Sequence, residues 1–80
     1  MKYKTISNPS PQDYDIEFEK GQEFIGSNGS VVTIRDYFIL VAENEEQGEL
    51  SYTTWYKCVN ESGGYFDIKE DDLRECYRPV

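Results

Sequence analysis

Four carboxylates alternate along one short stretch of the sequence, and they are its most distinctive chemical feature. Residues 13–19 read Asp-Tyr-Asp-Ile-Glu-Phe-Glu, so that acidic and apolar side chains strictly alternate. A period of two is typical of a strand with one buried face. Successive carboxylates on such a strand would stand about 6.8 Å apart on its exposed face. The pattern predicts a row of fixed negative charges that fits a basic groove on a partner, formed by Asp13, Asp15, Glu17 and Glu19.

Two functions are open to this acidic row, and a third interpretation gives it no specific function. The row can bind a protein partner, or it can imitate a nucleic-acid backbone and inhibit a DNA-binding or nuclease complex of a host. The simplest interpretation is a solvated strand face that protects a sheet edge and keeps a small protein in solution. Tyr37, Trp55 and Tyr65 are a second set of candidate binding residues. They are possible aromatic anchors of a protein interface, with core packing as the alternative.

The sequence offers few residues for catalysis or for metal binding. There is no histidine, which removes the usual nucleophile-activating arrangements and the commonest metal ligand. Cys58 and Cys76 fall short of the four ligands of a structural zinc site. The acidic loop at 43–49 lacks the closing glutamate of a calcium loop, because Thr54 stands at that position. We therefore expect no catalytic residue, no metal ligand and no cofactor, and the protein is not expected to be an enzyme.

Composition narrows the choice of partners. The chain has 80 residues with 16 acidic and 8 basic side chains, for a net charge of −8. That balance argues against binding to nucleic-acid phosphates or to anionic membranes. No segment has the length of a membrane span or the apolar core of a signal peptide. We expect a cytoplasmic protein with Cys58 and Cys76 reduced, acting as a monomer or weak dimer.

A hairpin around Asn28-Gly29 is the clearest local prediction. An Asn-Gly pair between two β-rich runs is a strong hairpin signal. A two-residue loop would place Phe24 opposite Thr33, whereas a three-residue loop at 27–29 places it opposite Val32. The three-residue loop is preferred, because it brings Phe24, Val32 and Ile34 to one face. It requires Gly29 in the left-handed region.

The remaining chain predicts further short strands. Residues 1–6 form a short strand or an arm, and the two prolines at 9 and 11 indicate an extended linker. We therefore divide the chain into a loosely attached N-terminal segment at 1–12 and a single β domain at 13–80. The apolar run 37–42 predicts a central strand buried on both faces. Arg35-Asp36 marks either a tight bend or the middle of one long, bent strand.

The C-terminal half predicts two strands and a helical turn. In the strand 50–59, the more apolar alternate set is expected to point inward, leaving Trp55 partly exposed: Leu50, Tyr52, Thr54, Tyr56 and Cys58. A short strand follows at 65–68. Residues 69–77 can hold one helical turn that buries Leu73, Cys76 and Tyr77 along one side.

Five or six short strands with one terminal helical turn indicate a mainly β fold, either a small closed barrel or a half-open roll. The runs at 20–24, 27–31 and 66–73 resemble those of small SH3-like barrels. They are similar to short uncharacterised proteins of bacterial phages and mobile elements. The resemblance spans residues 15–77 and implies an SH3-like barrel, but no functional residue. The Ala-Leu-Tyr-Asp-Tyr type of run that marks eukaryotic SH3 domains is absent, so binding of proline-rich peptides is not expected.

The sequence thus predicts a non-enzymatic, acidic protein-interaction module of phage or mobile-element type. It would bind a protein partner through the acidic strand and nearby aromatic residues. The alternative is a nucleic-acid-mimicking inhibitor, and neither interpretation involves direct binding of nucleic acid or a membrane.

Overall fold

The longest strand, β3 (Val31–Asn44), organises the sheet. The computed structural model describes residues 1–80 and has six antiparallel strands, in the order β5-β4-β3-β2-β6, with β1 also paired to β3. The elements in chain order are β1 (Lys2–Ser7), α1 (Pro11–Tyr14), β2 (Glu23–Gly26), β3, β4 (Glu49–Asn60), β5 (Tyr65–Lys69), α2 (Glu70–Cys76) and β6 (Tyr77–Pro79). The mainly β prediction is confirmed. The sheet does not close into a barrel, which leaves the half-open roll of the two expected forms.

The β2–β3 hairpin has the predicted register. Phe24 lies opposite Val32, and the Gly26 N–H donates to the Ser30 carbonyl at 2.9 Å across a three-residue loop. Gly29 has φ +84°, in the left-handed region that the loop requires. The side chains of Phe24, Val32 and Ile34 are all buried. Apolar patterning and turn chemistry therefore specify the same register.

A β-bulge bends β3 at Arg35. Ile34 pairs with Cys58 and Asp36 with Lys57, so one extra residue stands in β3 between these two pairs. Of the two predicted alternatives, the structure has one long, bent strand. The bulge changes which alternate residues face the core: Val32 and Ile34 before it, and Tyr37, Ile39 and Val41 after it. We call this core side of the sheet the inner face and the opposite side the outer face.

The N-terminal segment is a strand in the sheet. β1 pairs antiparallel with β3, from Lys2 opposite Glu43 to Ser7 opposite Phe38. β2 covers the same edge of β3 only at Val31–Thr33, so the rest of that edge is available to β1. Lys2–Ser7 is therefore held by a ladder rather than extending as a loose arm.

The predicted strand at Asp13–Glu19 is wrong. Ser10 precedes α1, Pro11 occupies its first turn, and Asp15 ends it with φ 51°. Proline at the first position of a helix is pre-organised for a turn, and an aspartate in the left-handed region interrupts an extended strand. The edge of β3 is also occupied by β1 and β2. Residues 16–18 nevertheless lie over the inner face, where the rings of Phe18 and Phe24 meet edge-on at 4.9 Å.

The core lies under one half of the sheet. Its main cluster consists of seven buried side chains: Phe18, Phe24, Val32, Ile34, Tyr56, Cys58 and Leu73. Ile39 and Val41 are buried outside this cluster, farther along β3. The inward face predicted for residues 50–59 is correct at Tyr56 and Cys58. Leu50 and Tyr52 share that face but remain 52% and 56% exposed. They lie on the distal part of the β3–β4 hairpin, which extends past the core in a molecule of 43 × 23 × 19 Å.

Residues 37–42 are buried on one face only, contrary to the prediction. Ile39 and Val41 on the inner face are buried, whereas Phe38 and Leu40 on the outer face are half-buried. No helix or second sheet covers the outer face. The continuous apolar run therefore does not mark a strand enclosed between two layers.

The C-terminus contains a strand that the sequence did not indicate. Leu73 of α2 is buried, as expected, but Cys76 is exposed, and Tyr77 lies beyond the helix in β6 and is only half-buried. β6 then pairs with β2 at the sheet edge, with Pro79 opposite Phe24. An edge strand tolerates proline because one of its sides needs no N–H donor. Neither α1 nor α2 has the length and apolar character of a membrane-crossing helix.

Candidate protein-interaction surface

Three rows of uncharged side chains cross the outer face of β1, β3 and β4, in the part of the sheet that extends past the core. Side chains directly opposite each other in paired strands share a face, and alternate residues of one strand return to it. The register of β1, β3 and β4 therefore places three cross-strand rows together: Tyr3, Ala42 and Ser51; Thr5, Leu40 and Thr53; Ser7, Phe38 and Trp55. We call this set the uncharged outer face. None of its members carries a charge, although charged residues make up 30% of the chain.

Two stacked aromatic rings form one end of the uncharged outer face. The Phe38 and Trp55 rings lie nearly parallel, with 6.2 Å between centroids and 9° between planes. The Lys69 ammonium, from the opposite position in β5, lies 5.9 Å from the Trp55 ring. The indole Nε1 of Trp55 is buried without a hydrogen-bond partner. Trp55 is half-buried on this face, and charged side chains begin just beyond it.

The aromatic residues proposed from sequence do not form one site. Tyr65 shares the outer face with Trp55, because it pairs with Val59 two alternate positions along β4, and it is 66% exposed. Tyr37 lies on the inner face, where its ring meets Tyr56 edge-on at 6.2 Å and the Lys20 ammonium at 5.0 Å. Trp55 and Tyr65 therefore share a surface from which Tyr37 is excluded.

The four acidic residues do not form a row. Asp13 belongs to α1, Asp15 is the left-handed residue that ends it, and Glu17 pairs with Arg74 at 3.4 Å. Glu19 follows in the irregular segment before β2. The regular spacing on which the predicted acidic docking surface depends is therefore absent.

The side chains with shifted pKa values belong to the core. Burial, together with a hydrogen bond to Glu70, raises the pKa of the Tyr56 phenol well above its ordinary value. Burial and the nearby Asp67 carboxylate raise the pKa of the Cys58 thiol to about 11. Both groups are inaccessible to solvent. Their perturbation follows from packing, and it favours the uncharged, unreactive forms.

The uncharged outer face depends on strand pairings that local sequence patterns do not indicate. Alternate uncharged positions occur at 38–42 and 51–55, but their meaning depends on the bulge at Arg35. The contribution of Tyr3, Thr5 and Ser7 depends on β1 pairing with β3. Local patterns identify the strands, whereas this surface is created by their register.

No family model, curated protein or solved structure matches this chain. The similarity to SH3-like proteins of phages and mobile elements stays a prediction.

Proposed function

We propose that this protein is a non-enzymatic interaction module that binds a protein partner through the uncharged outer face. The observation that carries the proposal is the set of three uncharged rows on a sheet face that no other element covers. Phe38, Leu40 and Trp55 of this face are half-buried and Tyr3 is exposed, and accessible apolar side chains within a polar border are typical of an interaction site.

The composition of this face supports protein binding in particular. Charged residues are depleted from the centres of protein interfaces, and aromatic residues are enriched there. Phe38 and Trp55 supply the aromatic anchor, and Tyr3 adds an exposed ring at the opposite corner. Lys57 and Lys69 begin the charged border next to Trp55. Binding through such a face depends mainly on packing, so it should respond weakly to salt.

Nucleic-acid mimicry has less support from the geometry. It needs regularly spaced carboxylates, and the segment that was expected to supply them contains α1 and a left-handed Asp15. Salt still separates the two functions, because mimicry predicts binding that falls steeply with ionic strength and is competed by DNA. A cytoplasmic location belongs to the same proposal, and the free thiols of Cys58 and Cys76 are compatible with a reducing compartment.

Capture of partners by single variants tests the proposal. The immobilised chain is compared with Trp55→Ala, which removes the anchor, and with Thr5→Lys, which places a charge in the middle row. Ser62→Lys adds the same charge in the exposed loop before β5 and is the control. We expect the same partner on the parent chain and on Ser62→Lys at low and high salt, and its loss from both outer-face variants. Equal capture by all four proteins would contradict the proposal, as would release of the partner by salt alone.

A further inference from the structure

Half of β4 has no strand on one side. β5 pairs with Trp55–Val59 only, after which the chain leaves the sheet at Glu70 to form α2. Residues 49–54 pair with β3 on their other side. No backbone hydrogen bond outside that ladder involves Leu50–Thr54. Alternate N–H and C=O groups of this stretch therefore point outward without a partner, as at any sheet edge.

This edge lacks the features that protect the other edges of the sheet. β1 carries Lys2 and Lys4, β6 carries Pro79, and the outer side of β5 carries Asp67 and Lys69. Residues 50–54 read Leu-Ser-Tyr-Thr-Thr, with no charge and no proline, and the bulge of the β3–β4 ladder lies elsewhere. Sheet edges without charges, prolines or bulges are those that readily accept another strand.

A cleft of about 300 Å³ lies on the inner side of this edge. Tyr52 and Tyr14 line it, with 6.2 Å between their ring centroids, and Tyr52 is more than half exposed. Asp15, Glu70 and Asp71 complete its polar wall. A strand added to the edge would run along this cleft in line with β5, with alternate side chains entering it.

The negative charges around the cleft favour a strand that carries cationic side chains. Asp15 has no ion pair, whereas Glu70 and Asp71 share the single guanidinium of Arg74, at 3.4 and 2.7 Å. The Asp71 side chain is 85% exposed, so its charge faces solvent. Lysine or arginine in the cleft would face this excess of carboxylates and the exposed Tyr52 ring. A second copy of the same edge would bring like charges together, which argues against self-association here.

We propose that the open edge at Leu50–Thr54 binds an extended cationic segment of a partner protein, which adds to the sheet as an antiparallel strand. Its lysine or arginine side chains point to the inner side, towards Asp15 and Asp71. Its uncharged side chains lie on the outer side, beside Ser51 and Thr53. The inference goes beyond the proposed function. The edge borders the uncharged outer face at Ser51 and Thr53, but strand addition uses backbone groups of β4, whereas the proposed function uses the side chains of the face, so the two have separate tests.

A synthetic peptide tests the strand addition. The probe is an acetylated eight-residue peptide in which lysine alternates with threonine or valine, titrated into the full-length chain labelled with nitrogen-15. We expect amide shifts at Leu50–Thr54 and none at Lys2–Ser7. Two methylated forms of the probe follow, one with methyl groups on the lysine amides and one with them on the intervening amides. Only one of these two sets of amides faces β4, so one form should bind at least about tenfold more weakly than the other.

Matched protein variants test the charge requirement. Asp15→Asn keeps a residue type that tolerates the left-handed conformation, and Asp71→Asn removes the exposed charge beside α2. Each should weaken peptide binding by about two- to fivefold, while Glu23→Gln in β2 leaves it unchanged. Equal binding by the two methylated peptides would overturn the proposal, as would amide shifts confined to β1 or to residues 38–42 of β3. Those results would leave the Trp55→Ala and Thr5→Lys test of the outer face untouched.

Discussion

The phenol hydroxyl of Tyr56 donates a hydrogen bond of 2.6 Å to Glu70 Oε2, which joins the middle of β4 to the first residue of α2. The same hydroxyl accepts a hydrogen bond of 3.3 Å from the Phe18 N–H. The Tyr56 ring is fully buried and packs against Phe18 and Tyr37. The Tyr56 side chain therefore connects the sheet, helix α2 and the irregular segment at Phe18.

Replacing Tyr56 with phenylalanine should destabilise the fold. The change keeps the ring but leaves the Phe18 N–H and one Glu70 oxygen without their partner. Unsatisfied buried polar groups cost about 1–3 kcal/mol, and we expect the free energy of unfolding to fall by about that amount in urea titrations. Tyr65→Phe is the control, because the Tyr65 ring is exposed and its hydroxyl makes no hydrogen bond within the chain. Equal free energies of unfolding for the two variants would show that the hydrogen bonds of the Tyr56 hydroxyl do not stabilise the fold.

Stability should fall at alkaline pH, and Cys58 and Tyr56 should account for part of the fall. Burial is the main cause that raises both pKa values, from 9.0 to about 11 for Cys58 and upward from 10.0 for Tyr56. Between the unfolded and folded values, the unfolded chain has lost protons that the folded chain retains. These two groups therefore leave the free energy of unfolding unchanged below about pH 9, and they lower it as the pH rises through 9 to 11 and beyond.

Unfolding free energies measured between pH 8 and 11 check this dependence. Cys58→Ala should flatten the slope above pH 9, and Tyr56→Phe should flatten it above pH 10. Cys76→Ala is the matched control, because it removes an exposed thiol outside the core. A slope that both core variants share with the parent would assign the alkaline loss to the net negative charge of the whole chain.

Local features of the sequence were enough to predict the hairpin and most of the strands. The loop at 27–29 brings Phe24 opposite Val32 because turn geometry and apolar alternation agree over adjacent residues. Tyr56 and Cys58 face inward as their alternation indicates. The helical turn around Leu73 follows from acidic residues at its start and apolar spacing after them.

The errors arose where the outcome depends on distant residues. Tyr14, Ile16 and Phe18 alternate with acids, but they reach the inner face from α1 and an irregular segment, because Pro11 begins a helix and the left-handed Asp15 interrupts an extended strand. β1 and β2 also occupy the edge of β3. An alternation with a period of two indicates which side chains become buried. It does not indicate whether the segment pairs with another strand. The pairings of β1 with β3 and of β6 with β2 are equally non-local, and the uncharged outer face depends on the first of them.

The two cysteines should differ sharply towards a thiol reagent. Cys76 at the end of α2 is exposed, whereas Cys58 is buried among core side chains, where the raised pKa also disfavours its thiolate. One thiol per chain should react rapidly with a maleimide under native conditions, and both should react in denaturant. Mass spectrometry of the labelled peptides assigns the site. Rapid native labelling of Cys58 would mean that the core under β4 opens readily.

Gly29→Val should destabilise the hairpin through the backbone alone. Gly29 has φ +84°, and a Cβ atom added there would meet no neighbouring atom within 4 Å. The cost therefore comes from holding a β-branched residue in the left-handed region, and we expect a loss of more than about 1 kcal/mol. Thermal and urea unfolding measure the loss. Ser27→Val is the control, because Ser27 is exposed in the same loop without a positive φ. If Gly29→Val melted at the parent temperature, the three-residue loop and the register that it specifies for Phe24 and Val32 would both be wrong.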